Sequence, residues 1–258
     1  MNAFAARPNF ADITSLPSVT TTPEQLLANR IVGFRNADIR ARPFKMLRSQ
    51  IRKIQQDTGV RLIGVTSASP GVGKSFVASN LAAAMSRVAD ASVYLVDIDL
   101  RRPALAGRFE IEERRGLQDY LSGVTSDLGE IAVRVNEENL AIVTSVDRGL
   151  ASAELLSGPT ADAFFAAVRA LPEPTTIIFD MPPVFADDDA VIVAERLDGV
   201  IIVVEDGLTT RKQLKETIRL LHPTPCLGTV FNRYKIGILD DDYGYNGGYG
   251  YGVYYRDQ

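Results

Sequence analysis

Ala68-Ser69-Pro70-Gly71-Val72-Gly73-Lys74-Ser75 follows an apolar run (Leu62, Ile63, Val65) and opens an amphipathic run from Phe76 to Met85. A polyphosphate is wrapped by backbone N–H groups, so the chain needs glycine where a side chain would block close approach, here Gly71 and Gly73. Lys74 reaches the β- and γ-phosphates, Ser75 offers a hydroxyl to Mg²⁺, and the following helix adds its N-terminal N–H groups and dipole. Ala68 stands where glycine is commonest, and is small enough to fit. The candidate nucleotide contacts are therefore Ser69, Pro70, Gly71, Val72, Gly73, Lys74, Ser75 and Phe76.

Two further stretches carry acids at the ends of apolar runs. Tyr94-Leu95-Val96-Asp97-Ile98-Asp99-Leu100-Arg101 closes in Asp-x-Asp-x-Arg, and Ile177-Ile178-Phe179-Asp180-Met181-Pro182-Pro183 closes in a single Asp before two prolines. A hard cation takes oxygen ligands and keeps several waters, so Ser75, Asp99 and Asp180 form a chemically sensible set for Mg²⁺. Asp97 is then free to accept a proton from an incoming hydroxyl. The bland alternative is that strand-end acids merely cap the next helix.

These residues need a scaffold that brings several strand ends together. From Arg61 onward, strand-like apolar runs alternate with helical patterns, the signature of a parallel sheet covered on both faces. The expected strands are Leu62 to Thr66, Ser92 to Val96, Leu140 to Thr144, Thr175 to Phe179, Val200 to Val204 and Leu227 to Phe231. Helices are expected over Ser75 to Val88, Gly116 to Leu121, Thr160 to Leu171, Asp187 to Arg196 and Thr209 to Leu221. The fold class is α/β, a doubly wound, mostly parallel sheet of the P-loop NTPase type, in which ligands sit at the carboxyl ends of strands.

Upstream, a helix from about Ala41 to Gln56 is predicted by Phe44, Leu47, Ile51 and Ile54 at three- and four-residue spacing. Thr22-Pro23-Glu24-Gln25 places a cap and a first-turn proline before Leu26 and Leu27, predicting a short helix. Residues 1 to about 22 mix Pro, Ser, Thr and Asn without apolar periodicity and read as disordered. The organisation expected is a flexible segment over 1–36, a P-loop domain over 37–236 and a disordered tail over 237–258.

With 258 residues, 46% of them apolar, the chain can bury one large core. No run approaches a membrane span, and the N-terminus lacks the layout of a signal peptide. The lone Cys226 leaves no intramolecular disulfide framework and reads as a packing residue in a reducing compartment. His222, just before Pro223, reads as a capping or surface residue. The net charge of −4 hides a basic segment, Arg30 to Arg61, with nine Lys or Arg against two Asp. That segment could face a membrane, an acidic partner or another subunit, or be simply the solvated face of a helix.

The phosphate loop ending Gly73-Lys74-Ser75, Asp97-x-Asp99-x-Arg101 and Asp180-Met181-Pro182-Pro183 together resemble the three nucleotide motifs of bacterial tyrosine autokinases. Those enzymes are related in fold to the partition and cell-division ATPases. The resemblance continues through Gly116-Leu117-Gln118-Asp119-Tyr120-Leu121-Ser122-Gly123, Ala153-Glu154-Leu155-Leu156-Ser157 and Leu197-Asp198-Gly199-Val200, and covers about residues 38 to 258. It implies ATP and Mg²⁺ as cofactors, Lys74, Asp97 and Arg101 as catalytic residues, and Asn232-Arg233 near the adenine, although a strand-to-loop transition would also explain Asn there. It further implies control of capsular or extracellular polysaccharide export.

Asp240 to Gln258 holds Tyr243, Tyr245, Tyr249, Tyr251, Tyr254 and Tyr255 spaced by Gly and Asn. Alone, such a tail reads as a low-complexity segment that cannot build a core. Beside an ATP site it is similar to the family's tyrosine cluster, phosphorylated between subunits. The resemblance also implies a homo-oligomer, a membrane-anchored chain-length regulator as activator, and a tyrosine phosphatase as antagonist. No nucleic acid is expected, and the location implied is cytoplasmic, at the inner face of the membrane through the partner. One departure stands out: where the family carries Glu-x-x-Arg-x-x-Arg at its ring contact, this chain has Arg42, Lys45 and Arg48. The rival reading is an ATPase switch of the partition or cell-division class. Those proteins carry an early loop lysine where this chain has Ser69, and no tyrosine tail. A third reading is a nucleotide-binding interaction module.

Overall fold

Strands with no polar alternation must be covered on both faces, and this requirement organises the chain. The structure, a computed structural model, describes residues 12–89, 91–112 and 114–234. In chain order the elements are β1 (Ser18–Val19), α1 (Pro23–Ala28), α2 (Arg42–Thr58), β2 (Leu62–Ser67), α3 (Lys74–Met85), β3 (Ser92–Asp97), α4 (Leu105–Arg108), α5 (Leu117–Leu121), β4 (Ala132–Val135), β5 (Leu140–Val143), α6 (Ser152–Ser157), α7 (Pro159–Arg169), β6 (Thr175–Asp180), α8 (Asp189–Ala194), β7 (Gly199–Glu205), α9 (Arg211–Leu221) and β8 (Cys226–Asn232). The strands form one sheet in the order β1-β4-β5-β3-β6-β2-β7-β8. All pairs are parallel except β4 with β5, so β4 and β1 run against the rest.

Alternate residues of β2 feed two cores. Leu62 joins Tyr94, Phe179 and the aromatic cluster of α7 on one face. Ile63 and Val65 join Val77, Leu81 and Leu95 under α3 on the other. The central strands β2, β3 and β6 are the ones whose carboxyl ends carry the three motifs, and their register decides the site. Asp97 and Asp180 are directly paired across β3 and β6.

The sequence expectation is corrected at the N-terminal side. Residues 12–36 are not a free segment: Ile13 and Leu16 are buried in the first core, β1 pairs with β4, and Ile31 and Val32 are buried beside α3. These apolar residues act singly from turns, which leaves no period to read. The strand β4 was likewise not anticipated, being four residues long and antiparallel to its neighbour β5. The short helix α1 begins at Pro23 with a Thr22–Gln25 capping box. His222 caps the end of α9, and Cys226 is half-buried at the start of β8.

α3 is almost wholly buried because its outer side is covered by α2 and by residues 30–33. Its alanines permit that approach. Asn80 donates from Nδ2 to the Arg30 carbonyl at 2.9 Å, and its Oδ1 accepts from the amides of Val32 and Gly33 at 2.7 and 3.0 Å. A Cβ on Gly33 would lie 2.3 Å from the Asn80 backbone oxygen and 2.8 Å from the Ala83 Cβ. Gly33→Ala is therefore expected to lever this segment off α3, at a cost of about 2 kcal/mol. Thermal unfolding should register the change as a fall of roughly 4–8 °C.

Candidate active site

The turn between β2 and α3 has to bend back on itself, and it does so through left-handed backbone at Gly71 (φ 80°) and Gly73 (φ 100°). Gly73 is further required by a close approach: a Cβ there would meet Asn232 Nδ2 at 2.2 Å. That amide donates to the Val72 carbonyl at 2.8 Å, so the end of β8 lashes the loop in place. The segment after β6 supports it from the other side, with the amides of Val184 and Phe185 donating to the Ser67 and Ala68 carbonyls at 2.8 and 3.1 Å. Inside the turn, Ser67 Oγ donates to the Ser69 carbonyl at 2.7 Å.

A cavity of about 420 Å³ opens over this turn, lined by Gly71, Gly73, Lys74, Ser75, Phe76, Asn232 and Arg233 among the residues anticipated. Ser69, Pro70 and Val72 do not line it, and Val72 is fully buried beneath the loop. Ala104, Arg30 and Arg108 also line it and were not anticipated. Arg30 belongs to a segment with no sequence period, and Arg108 to a one-turn helix, so neither carries a motif. Arg233 is ion-paired with Glu205 at 3.0 Å.

Asp97 and Asp180 are both essentially inaccessible to solvent. The amides of Ala104 and Leu105 donate to Asp97 Oδ2 at 2.8 and 2.9 Å, which fixes the carboxylate and starts α4. Its Oδ1 has no partner among the described residues, and the oxygens of Asp180 lack a well-formed hydrogen bond there, the Ser75 hydroxyl being the one donor close enough to act on them. Burial raises the pKa of Asp97 well above the usual carboxylate range, and the facing Asp180 adds to it. Burial likewise pushes Asp180 up to about 6, with nearby Ser75, Lys74 and Arg108 offsetting it only in part and Asp99 reinforcing it. Asp99, less buried, is also raised, mainly by desolvation, while its Oδ1 accepts from the Arg102 amide at 3.0 Å. The arrangement thus buries unsatisfied carboxylate oxygens at the ends of β3 and β6; Asp97, Asp99 and Asp180 do not themselves line the cavity, whose walls carry the cations Arg30, Lys74, Arg108 and Arg233.

Arg101 points elsewhere. Its Nε donates to Ser152 Oγ at 2.8 Å, it is ion-paired with Asp187, and it lies 3.4 Å from Asp189 Oδ2. Ser152 Oγ in turn donates to Asp189 at 2.6 Å. Arg101 therefore ties the loop after β3 to α6 and to the start of α8.

The family described as ParA: NUBPL iron-transfer P-loop NTPase matches residues 60–234. The tyrosine-protein kinase YwqD of Bacillus subtilis (strain 168) is 31% identical over 206 residues, 79% of this chain and 85% of that one. The chain belongs to the bacterial tyrosine-protein kinases. The tyrosine-protein kinase CpsD of Streptococcus pneumoniae is 32% identical over 194 residues, 74% of this chain and 83% of its own. The crystal structure of the VpsO kinase domain superposes with a TM-score of 0.67 at 26% identity, covering 82% of this chain and 97% of that one. Some relatives are much longer, and the chain spans 31% and 29% of the lengths of two of them.

The kinase is thus a nucleotide-binding enzyme on a ParA-type P-loop fold. Its three basic residues at the start of α2 are largely engaged within the chain: Lys45 donates to the Asn36 carbonyl and Arg48 to the Ala84 carbonyl at 3.1 Å. Arg42 is exposed at the first turn. Tyr243, Tyr245, Tyr249, Tyr251, Tyr254 and Tyr255 lie outside the described residues. Among the described residues no helix is long and apolar enough to cross a membrane.

Proposed function

We propose that the kinase transfers the γ-phosphoryl group of ATP to the tyrosines of its own C-terminal segment, Tyr243, Tyr245, Tyr249, Tyr251, Tyr254 and Tyr255, acting between subunits. The observation that carries this reading is the in-register pair Asp97 and Asp180, with unsatisfied carboxylate oxygens and with Asp180 within electrostatic reach of Lys74. The orphaned oxygens of Asp180, with the Ser75 hydroxyl and Asp99, fit a hard cation such as Mg²⁺. Among the described residues no three acidic, His or Cys side chains gather to hold an ion alone, which suits a cation that keeps waters and phosphate oxygens. When bound, Mg²⁺ supplies neutralisation of phosphoryl charge.

The protein groups account for the remainder. Lys74 and the loop amides hold the phosphates against the charge that develops in transfer. Asp97, its Oδ2 committed to Ala104 and Leu105, presents Oδ1 to the incoming tyrosine and takes the hydroxyl proton as the new P–O bond forms and ADP departs with the electrons of the old one. Its raised pKa makes the carboxylate, once ionised, the stronger base for that task. Arg101 acts at one remove, holding the Asp97-x-Asp99 loop against Asp187 and Asp189. Asn232 holds the loop, and Arg233 lies beside it at the adenine end.

Each phosphotyrosine adds about −1.5 to −2 of charge, which expels tails from neighbouring sites and loosens an oligomer joined through Arg42, Lys45 and Arg48. Regulation of polysaccharide polymerisation and export would follow, with a membrane-anchored chain-length regulator as activator, a tyrosine phosphatase as antagonist, and a position at the inner face of the membrane. The match to the ParA-type family favours one other reading, an ATPase switch without protein substrate. The deciding experiment incubates the full chain with Mg²⁺ and ATP, with and without a candidate activator tail, and reads phosphates by intact mass beside a chain ending at Asp242. Phosphates on the full chain alone support the kinase and its tail. Hydrolysis of ATP with no change of mass, even with the activator, supports the switch.

A further inference from the structure

The segment before α2 brings an arginine to the phosphate cavity. Arg30 has left-handed backbone (φ 58°), a conformation that a non-glycine residue adopts only where its surroundings impose it. Three contacts impose it: its carbonyl accepts from Asn80 on α3, its amide donates to the Leu27 carbonyl at 2.9 Å, and the next amide donates to the Leu26 carbonyl at 2.7 Å. The segment is thus clamped to the helix that begins with Lys74. Its side chain lines the same cavity as Gly73 and Lys74 and has no hydrogen-bond or ion-pair partner among the described residues.

Beside it stands Arg108, held by design of its neighbours: Nε donates to Ser79 Oγ at 3.2 Å, one terminal nitrogen donates to the Asn29 carbonyl at 3.1 Å, and the guanidinium lies 5.9 Å from the Phe76 ring centre. Among the described residues Nη1 has no hydrogen-bond partner. Burial lowers the pKa of Arg108, the Asp180 charge offsets this in part, and the Arg30 charge is close enough to lower it further. Two guanidinium groups that repel each other have been brought to one wall, with Lys74 on the same cavity. Such convergence is stabilised by an anion of several charges, and guanidinium is suited to phosphate oxygens.

We infer that Arg30, presented by the segment preceding the P-loop core and flanked by Arg108, is a phosphate-binding residue that completes the nucleotide site from outside its three sequence motifs. This rests on the nucleotide-site reading above and adds to it a ligand-contacting residue and a role for residues 29–33. These residues, clamped to α3, would close one side of the polyphosphate channel.

The test measures equilibrium binding of ATP, inorganic triphosphate and adenosine to the full chain and to Arg30→Ala and Arg30→Lys. ATP and triphosphate are expected to bind about tenfold more weakly to Arg30→Ala, with part of the loss recovered in Arg30→Lys and adenosine unaffected. The alanine variant should also show a shallower dependence of ATP affinity on salt. The inference is overturned if ATP binds Arg30→Ala within twofold of the parent, or if ATP and adenosine weaken equally, since the residue would then shape the cavity and not touch phosphate. A parent chain that fails to bind ATP would overturn the site reading itself and this inference with it.

Discussion

Lys74→Met is expected to lower phosphotyrosine formation on the order of a thousandfold while leaving the fold intact. Lys74 is buried at the first turn of α3 and lines the cavity, so its ammonium is a preorganised charge in a site largely screened from water. Such a charge acts far more strongly there than in solvent. Methionine has a similar length and apolar stem, so packing is kept and only the charge is lost. The lost charge also removes an influence that lowers the pKa of both Asp99 and Asp180, leaving those acids still less ionised. Intact mass after incubation with Mg²⁺ and ATP reads the activity, and thermal unfolding confirms the fold. The same variant tests transfer between subunits. Mixed with a chain ending at Asp242, it offers a tail without a working site, while its companion offers a site without a tail. Phosphate appearing on the Lys74→Met chain requires transfer from one molecule to another, and its absence from the mixture would restrict transfer to within a chain.

What could be read in advance was whatever follows from local chemistry. The Gly71 and Gly73 turn, the strand-end acids Asp97, Asp99 and Asp180, and the buried central strands each announce themselves within a few residues, because backbone bending and burial on both faces demand particular residue types there. The facing of Asp97 and Asp180 was not legible. It depends on β6 lying between β3 and β2, a pairing of strands separated by some eighty residues of chain. Arg30, Arg108 and the Asn80 clamp escaped for a related reason. Asn80 looks like any polar residue in a helix until residues 30–33 are found to bring it their two amides and a carbonyl. Arg101 shows the reverse limit. Its motif position marks it as important, yet only its contacts with Ser152, Asp187 and Asp189 show that it braces the loop and leaves the cavity to other cations.

The buried pair Asp97 and Asp180 makes function and stability oppose each other. Asp180→Asn is expected to reduce phosphotyrosine formation on the order of a hundredfold or more, since the side chain that would hold a cation loses its charge. The same change should stabilise the protein when no nucleotide or metal is added. Burial raises the Asp180 pKa from 3.8 to about 6, so between those values the folded protein binds more protons than the unfolded chain. Stability therefore falls as pH rises through that window, and the penalty is complete above about pH 6, where it amounts to a few kcal/mol. Asparagine carries no such penalty, and in register its new amide faces the same side of the sheet as Asp97. Removing the facing charge also lets Asp97 ionise more readily. Unfolding temperatures measured with chelator from pH 4 to pH 8 should show the variant higher by about 5 °C above pH 6.5, with the difference closing toward pH 4. A variant less stable than the parent at neutral pH would mean that the Asp180 charge is compensated in the folded state, and the case for an acid held in readiness for a cation would lose its energetic basis.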